Sequence, residues 1–541
     1  MAVAAAMVVA AFGAGSTDAV GASIGLPLLG GALPSKIPAS GFVGSEPVSG
    51  PGAPSFVQTV TPLLSTPAMA GQWQVLPYTA PGLAVHATLM NDGNVLVASG
   101  SGNDPQQFAA GTFNVWVWNP VAGTFRLVPG LPTDLFCSGH VLLPNGDVLF
   151  VGGTSSYPTD THGWLGTRTA YAFDPSTGTF TREPDMAYAR WYASSLERGD
   201  GRVLAVSGDD DVKGDIVPVA EQYDPATSTW STLPGQQLLP LYPDLTLLAN
   251  GQVFYSGAAD AAGNLHPPGV WSPDTNAFSS VSALQQPGAR DQAASILLPP
   301  AQQQRIGVFG GGTDTDGSGA SSTNAVDVYN VANPSGVVHT IGLPMAAAKM
   351  HVLGVILPNE TVFETGGSRQ FAQNPVAEAA IYNPAMGTWS QMNPPTVPRT
   401  YHSEAILLPT GQVATLGSNP NGYAPETRIE VFSPPYMFSG QRPNITSSPS
   451  GAAYGDTIQV NVGLAAGATL RKLVLIHPAS VTHSDDPNQR LVELSFTGAA
   501  GMYAASVPTN PNLTPPGWYM LFALDSSGRP SAARWIRIGG A

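Results

Sequence analysis

A turn followed by an apolar strand ending in small residues recurs seven times along this chain, and this recurrence limits the fold more than any other feature. The copies run Asn91–Gly100, Asn145–Gly153, Asp200–Gly208, Asn250–Gly257, Arg305–Gly311, Asn359–Gly367 and Thr410–Ser418. Several carry Asn-Gly or Asp-Gly pairs, which supply the positive φ that tight hairpins need. Each copy is followed by a second element, an aromatic residue and a short turn to another aromatic. These are Trp118/Phe125, Phe173/Phe180, Tyr223/Trp230, Trp271/Phe278, Tyr329 in a degenerate copy, Tyr382/Trp389 and finally Phe432. Copies lie roughly 50 residues apart, the period of four-stranded blades set around a central axis. Seven copies predict seven blades.

That period is the one expected of kelch blades, so residues 71–436 are read as a seven-bladed kelch β-propeller. Trp73 resembles a second aromatic but stands before the first blade, whereas the seventh copy runs into Phe432-Ser433-Pro434-Pro435-Tyr436 without a partner. The strand around Trp73 is therefore expected to complete blade seven and remove an exposed sheet edge. Residues 437–541 break the period and show alternating strands such as Thr457–Val462 and Lys472–Ile476. They suit an immunoglobulin-like (early-set) β-sandwich, and the fold class is all-β.

Composition agrees. Of 541 residues, 43% are hydrophobic and 11% charged, with 61 Gly and 51 Pro, a turn-rich mixture with too little charge for disorder. A net charge of −15 without any basic run excludes a nucleic-acid partner. The apolar run over 1–12 is too short to span a membrane, so no transmembrane helix is expected. Small residues at Ala19–Ala22 suit signal-peptide cleavage, making 1–22 a signal peptide and the protein secreted or cell-surface. No Lys or Arg precedes Lys36, so either the basic start lies upstream or the signal is poor. Residues 23–70, rich in Gly, Pro, Ser and Ala, read as a linker. Monomer is the default expectation.

Chemistry enters with the single cysteine, Cys137, which cannot form an internal disulfide. It precedes a blade-two strand, as Tyr192 precedes one in blade three and Tyr401-His402 one in blade seven. The three positions should face one end of one channel, and with Thr482-His483 they point to a metal centre.

These motifs carry a resemblance. The Cys137 segment, Arg190-Trp191-Tyr192, Arg399-x-Tyr401-His402-Ser403 through Gly417–Pro420, and Phe432-x-Pro434-Pro435-Tyr436 resemble the copper radical oxidases, the galactose oxidase and glyoxal oxidase family. So do Thr482-His483 with Gln489-Arg490, and Pro515–Met520; the likeness spans roughly residues 71–541. It implies a Cys137–Tyr192 thioether that holds a tyrosyl radical, and one copper ion bound by Tyr192, Tyr401, His402 and His483. Tyr401 would take the hydroxyl proton of a bound alcohol, and the Tyr192 radical would abstract a carbon-bound hydrogen. The implied reaction oxidises primary alcohols or small aldehydes, sugars and glycans among them, with O2, to give hydrogen peroxide.

Two departures accompany the likeness. Galactose oxidase places a Trp after the cross-linked Tyr, where this chain has Asp209-Asp210 following Val206-Ser207-Gly208; Trp164 is the substitute to look for. The sugar-binding domain that galactose oxidase carries at its N-terminus has no counterpart in 23–70.

Trp191 reads equally as packing or site. His351 and His140 are candidates beside the centre, and Tyr242 for the pocket. His86, His162, His266, His339 and His477 read as surface or structural, and Asp209-Asp210-Asp211 as a solvated loop. The competing reading is a non-enzymatic kelch propeller that binds glycan or protein. A zinc or iron enzyme is disfavoured by two tyrosines and no carboxylate ligand.

Overall fold

A computed structural model describes residues 65–259, 266–313, 322–421 and 423–539. The expected signal peptide and the linker up to residue 64 lie outside the described residues. Seven antiparallel sheets surround one axis. Blade one is His86–Leu89, Val95–Gly100, Asn114–Asn119 and Thr124–Leu127, and the following blades repeat its order. The two inner strands of blades one and three are buried throughout, because neighbouring blades cover both faces. Hence their continuous apolar sequences. Outer strands such as Thr124–Leu127 and Thr229–Thr232 are largely exposed.

Blade seven takes Ser403–Leu407, Val413–Gly417 and Arg428–Ser433 from the end of the ring and Gln72–Thr79 from its start. Trp73 pairs in register with Phe432, ring centroids 4.9 Å apart, as the sequence led us to expect. The ring has no open end. Its start lies slightly earlier than residue 71: Asn393 bonds the backbone of Ser65 and Gly71 and fixes the short helix Pro67–Ala70.

The aromatic pairs recur as cross-strand partners, and the degenerate fifth copy proves complete. His339 stands opposite Tyr329 and stacks on it at 4.5 Å, with Nε2 2.7 Å from Asp327 Oδ1. Outer-strand tryptophans also tie blades together. The indole N–H of Trp73, Trp230 and Trp389 each donates to a backbone carbonyl before the same blade's first long strand or in the preceding connection, at Asn393, Pro184 and Leu343.

Buried bases brace the segments that lead to the channel. Arg190 pairs with Glu221 at 3.0 Å and Arg290 with Asp327 at 3.1 Å, and Lys349 pairs with Glu364. Arg399 donates instead to the carbonyls of Thr415, Gly417 and Arg428. Arg190 and Arg399 of the sequence motifs therefore serve the blade frame.

The C-terminal domain runs from Asn444–Ser447 to Arg534–Ile538, in early-set style. Thr457–Gly463 alternates exposed and buried as a one-faced strand should. Leu473–Ile476 is buried on both faces. Leu473 and Leu475 join Ile458 and Val460, whereas Val474 and Ile476 join Ile406 and Leu407 of blade seven. Each such side chain contributes about 1.5–3 kcal/mol by burial, so the domain is firmly seated on the propeller.

From that seat the loop 477–490 enters the channel. Its strand Ser480–Thr482 pairs with His86–Thr88 as a fifth, innermost strand of blade one. Asn488 receives the Glu197 N–H at 2.9 Å and donates to the Ser195 carbonyl at 3.2 Å, in blade three. Gln489 holds Ile356 and Gly354 in blade six.

Candidate metal centre

The centre lies where six blades present one residue each in the left-handed region. Cys137 (φ 59°), Tyr192 (67°), Tyr242 (39°), Gln292 (56°), His351 (58°) and His402 (52°) all stand just before an innermost strand. Non-glycine residues pay roughly 1–2 kcal/mol for this conformation, so the surroundings must impose it. Part of the imposition is visible in the backbone: Tyr192 N–H donates to the Cys137 carbonyl at 2.9 Å, and Tyr242 N–H to the Tyr192 carbonyl at 3.0 Å. These bonds hold Cys137 beside Tyr192. At blade one the imported strand takes the place, and His483 (φ 51°) follows it.

Five expected residues converge there, all buried: Cys137, Tyr192, Tyr401, His402 and His483. The Tyr192 and Tyr401 hydroxyls face each other in direct contact. Cys137 Sγ lies 3.7 Å from His483 Nε2 and 4.0 Å from His402 Nε2. Ligand atoms of Cys137, His402 and His483 all fall within 4.8 Å of one another.

The tautomer of His483 follows from its partners. Thr482 Oγ1 gives its only proton to the Val85 carbonyl at 2.8 Å, so it accepts from His483 Nδ1–H at 2.5 Å. Nε2 then carries the lone pair, turned toward Cys137. Burial holds both imidazoles neutral, His402 and His483 lying well below the usual histidine range. Burial, with Cys137 nearby, pushes the Tyr401 phenol well above its ordinary value. Two neutral imidazoles and two buried phenols in one spot, with no carboxylate among them, fit a cation of the Cu(II) type. Such a charge would supply what the phenols need to ionise.

An aromatic wall encloses the centre. Trp191 lies on Tyr192, centroids 3.8 Å apart and 30° between planes, and its Nε1 donates to Thr154 Oγ1 at 3.1 Å. Trp164 stacks on Trp191 at 4.7 Å and 3°, so it forms a second layer. Tyr242 meets Tyr192 at 4.5 Å and His483 at 4.7 Å, anchored by its hydroxyl on the Ser138 carbonyl. Phe371 lies 4.8 Å from Tyr401. Sequence reasoning missed Phe371 and also Tyr157, whose ring lies 4.4 Å from that of Trp164; both arrive on connections with no repeat signature.

Other candidates sort out by position. His351 stands against Tyr401, 5.4 Å between centroids. His140 packs on Phe150 and lies 5.1 Å from His86, which is itself buried 6.1 Å from His483. His477 is buried against Glu197. The acidic triplet is only partly a solvated loop: Asp209 is buried, Asp210 Oδ1 caps the amides of Val212 to Asp215, and Asp211 pairs with Arg168.

Fold and site together define a seven-bladed propeller with an axial Tyr/His/Cys centre completed by an early-set domain. Comparison with known proteins carries this further: over most of its length the chain is similar to galactose oxidases and aldehyde oxidases. Residues 442–538 match the galactose oxidase-like early set domain family. A galactose oxidase of Gibberella zeae is 27% identical over 494 residues, covering 86% of this chain and 69% of that protein. An aldehyde oxidase of Vitis pseudoreticulata is 28% identical over 457 residues, covering 75% and 82%. A solved fungal alcohol oxidase of the AA5 family, in complex with copper, shares the fold at TM-score 0.75 and 21% identity, over 87% of this chain and all of that one.

Proposed function

We propose that this chain is a copper radical oxidase that converts primary alcohols or small aldehydes, with O2, to aldehydes or acids and hydrogen peroxide. The observation that carries the reading is the convergence of Tyr192, Tyr401, His402, His483 and Cys137 from four separate segments on one buried point. Tyr192, Tyr401, His402 and His483 would hold the metal, His483 through the Nε2 that Thr482 leaves free. Copper bound there would supply one oxidising equivalent beside the one stored on Tyr192.

The residues divide the remaining work. Cys137, bonded to the Tyr192 ring through sulfur, would lower the energy of its phenoxyl radical. Trp191 and Trp164 cover that ring and keep water from it. Tyr401 Oη takes the hydroxyl proton of the substrate as a positioned base. Tyr192 Oη, in contact with Tyr401 Oη, takes the hydrogen atom from the adjacent carbon. Two electrons and two protons leave the substrate and are returned to O2 as hydrogen peroxide. Among the described residues no helix is long and apolar enough to cross a membrane.

The test is intact mass and visible absorption of protein exposed to copper and O2, beside Cys137→Ala. We expect the wild type to lose the mass of two hydrogens and gain a radical band, and the variant to do neither. Copper uptake without mass loss or band would instead favour a binding propeller.

A further inference from the structure

Tyr192 is buried, and so are Cys137 beside it and Trp191 upon it. An oxidant that stays outside the protein therefore cannot touch the ring on which the proposed chemistry stores its equivalent. The rings around Tyr192 nevertheless form a contiguous series toward the surface. Trp191 lies 3.8 Å from Tyr192 between centroids, Trp164 lies 4.7 Å from Trp191 with 3° between planes, and Tyr157 lies 4.4 Å from Trp164. Trp191 and Trp164 are buried, whereas Tyr157 is partly exposed, with the ring of Phe108 5.1 Å away. Packing alone would be served by any large apolar side chain of similar volume. Here every member of the series is an indole or a phenol, two of the side chains most readily oxidised by one electron.

The outermost ring has the further part that a redox tyrosine needs. A phenol that gives up an electron becomes strongly acidic, so its proton must have a place to go and a way back. Tyr157 Oη lies 2.8 Å from Ser101 Oγ. Ser101 N–H donates to Oδ1 of the buried Asp134 at 2.7 Å, and the Ser101 hydroxyl favours the ionised form of the same carboxylate. Ser101 has one hydroxyl proton; turned to Asp134, it leaves Oγ to accept from Tyr157. Burial raises Asp134 to about 6, which makes it a stronger base than an exposed carboxylate. Until an electron is lost the Tyr157 phenol stays protonated, because burial pushes it well above its ordinary value.

Resting on the oxidase reading above, we propose that Tyr157 is a surface port through which a one-electron oxidant oxidises Tyr192, by way of Trp164 and Trp191. Tyr157 gives one electron to the oxidant, and its proton moves to Ser101 Oγ as the Ser101 proton moves to Asp134. Trp164 then refills Tyr157 and both protons return. Trp191 refills Trp164, and Tyr192 refills Trp191. The oxidant is reduced by one electron, and Tyr192, a phenolate when it ligates the metal, is left one electron short. The sulfur on its ring makes Tyr192 the lowest resting place for the vacancy, so transfer runs inward.

The probe is hexachloroiridate(IV), an outer-sphere one-electron oxidant. Copper-loaded, cross-linked protein is reduced with ascorbate and then mixed with the probe, and growth of the radical band is followed by stopped flow. In Tyr157→Phe, which keeps the ring but resists the oxidant, the rate constant should fall at least about tenfold, equivalent to roughly 1.4 kcal/mol of barrier. The final height of the band should match wild type. Tyr157→Trp, which restores an oxidisable ring, should recover most of the rate. Ser101→Ala, which cuts the proton path and spares every ring, should also slow the band. Tyr188→Phe, at an exposed tyrosine outside the series, should leave the rate as it was. An unchanged rate in Tyr157→Phe overturns the port. Equal slowing in Tyr188→Phe, or no recovery in Tyr157→Trp, overturns it too, since either would mark a general effect of altered packing. No band in any protein, wild type included, overturns the radical reading and the port with it, so the two failures are told apart.

Discussion

His402 and His483 sit at one centre but are delivered by opposite means. His402 belongs to the ring: Arg399, three residues before it, is bound to three carbonyls, and Thr400 is bonded to Ser418 through both backbone and hydroxyl. His483 arrives on a loop from another domain, held by one short strand pairing and a few side-chain bonds to blades one, three and six. A position inside a repeat is secured by the repeat. An imported position must be secured bond by bond, so it can be loosened without unfolding its host.

Mutations can sharpen or break this contrast. The largest effect should come from His483→Ala. Copper affinity and activity should fall beyond the 10–100-fold typical of a supporting contact, while the far-UV spectrum and Tm of the metal-free protein change little. A collapse of Tm would show that the loop is a structural part of the ring. Next comes Glu221→Gln, which leaves Arg190 as an unpaired buried charge. About 3–5 kcal/mol of stability should be lost, read as a lower midpoint in denaturant, with the site damaged only because blade three is. Smallest is Thr482→Val, which removes the acceptor that fixes His483 Nδ1–H. Copper affinity should drop about 10–100-fold with a stability loss of about 1–3 kcal/mol from the unpaired Val85 carbonyl and His483 Nδ1–H, and an unchanged affinity would mean the loop backbone alone orients the ring.

The same contrast explains what could be read from residues alone. The ring was legible because each blade repeats a turn, an apolar strand and an aromatic pair, and Trp73 could be recognised as the missing member of the last pair. His339 escaped because a histidine filled the aromatic slot of blade five, and a polar residue hides a packing role. Cys137, Tyr192 and His402 stood out by their motifs. Tyr242, Gln292 and His351 share the same backbone geometry, but no side-chain type marks it, since φ is imposed by neighbours in space. Trp164 was named only as a ring that could arrive from elsewhere; its layer above Trp191 depends on a connection whose path no periodicity encodes. Thr482-His483 was visible as a motif, but its docking on blade one was not, because strand pairing across two domains leaves no local pattern.

The order of the chain gives the channel loop a meaning in time. During synthesis the ring cannot close until Arg428–Ser433 exists to receive Gln72–Thr79. Even then one place at the rim stays empty until residue 483 has emerged and its domain has folded onto blade seven. Cys137 and Tyr192 are thus made early and put to use last. On the proposed reading, a ribosome product that stops short, or a molecule whose second domain fails to seat, would lack the last imidazole and would make no peroxide. On that reading the site is completed by a segment synthesised after the whole ring.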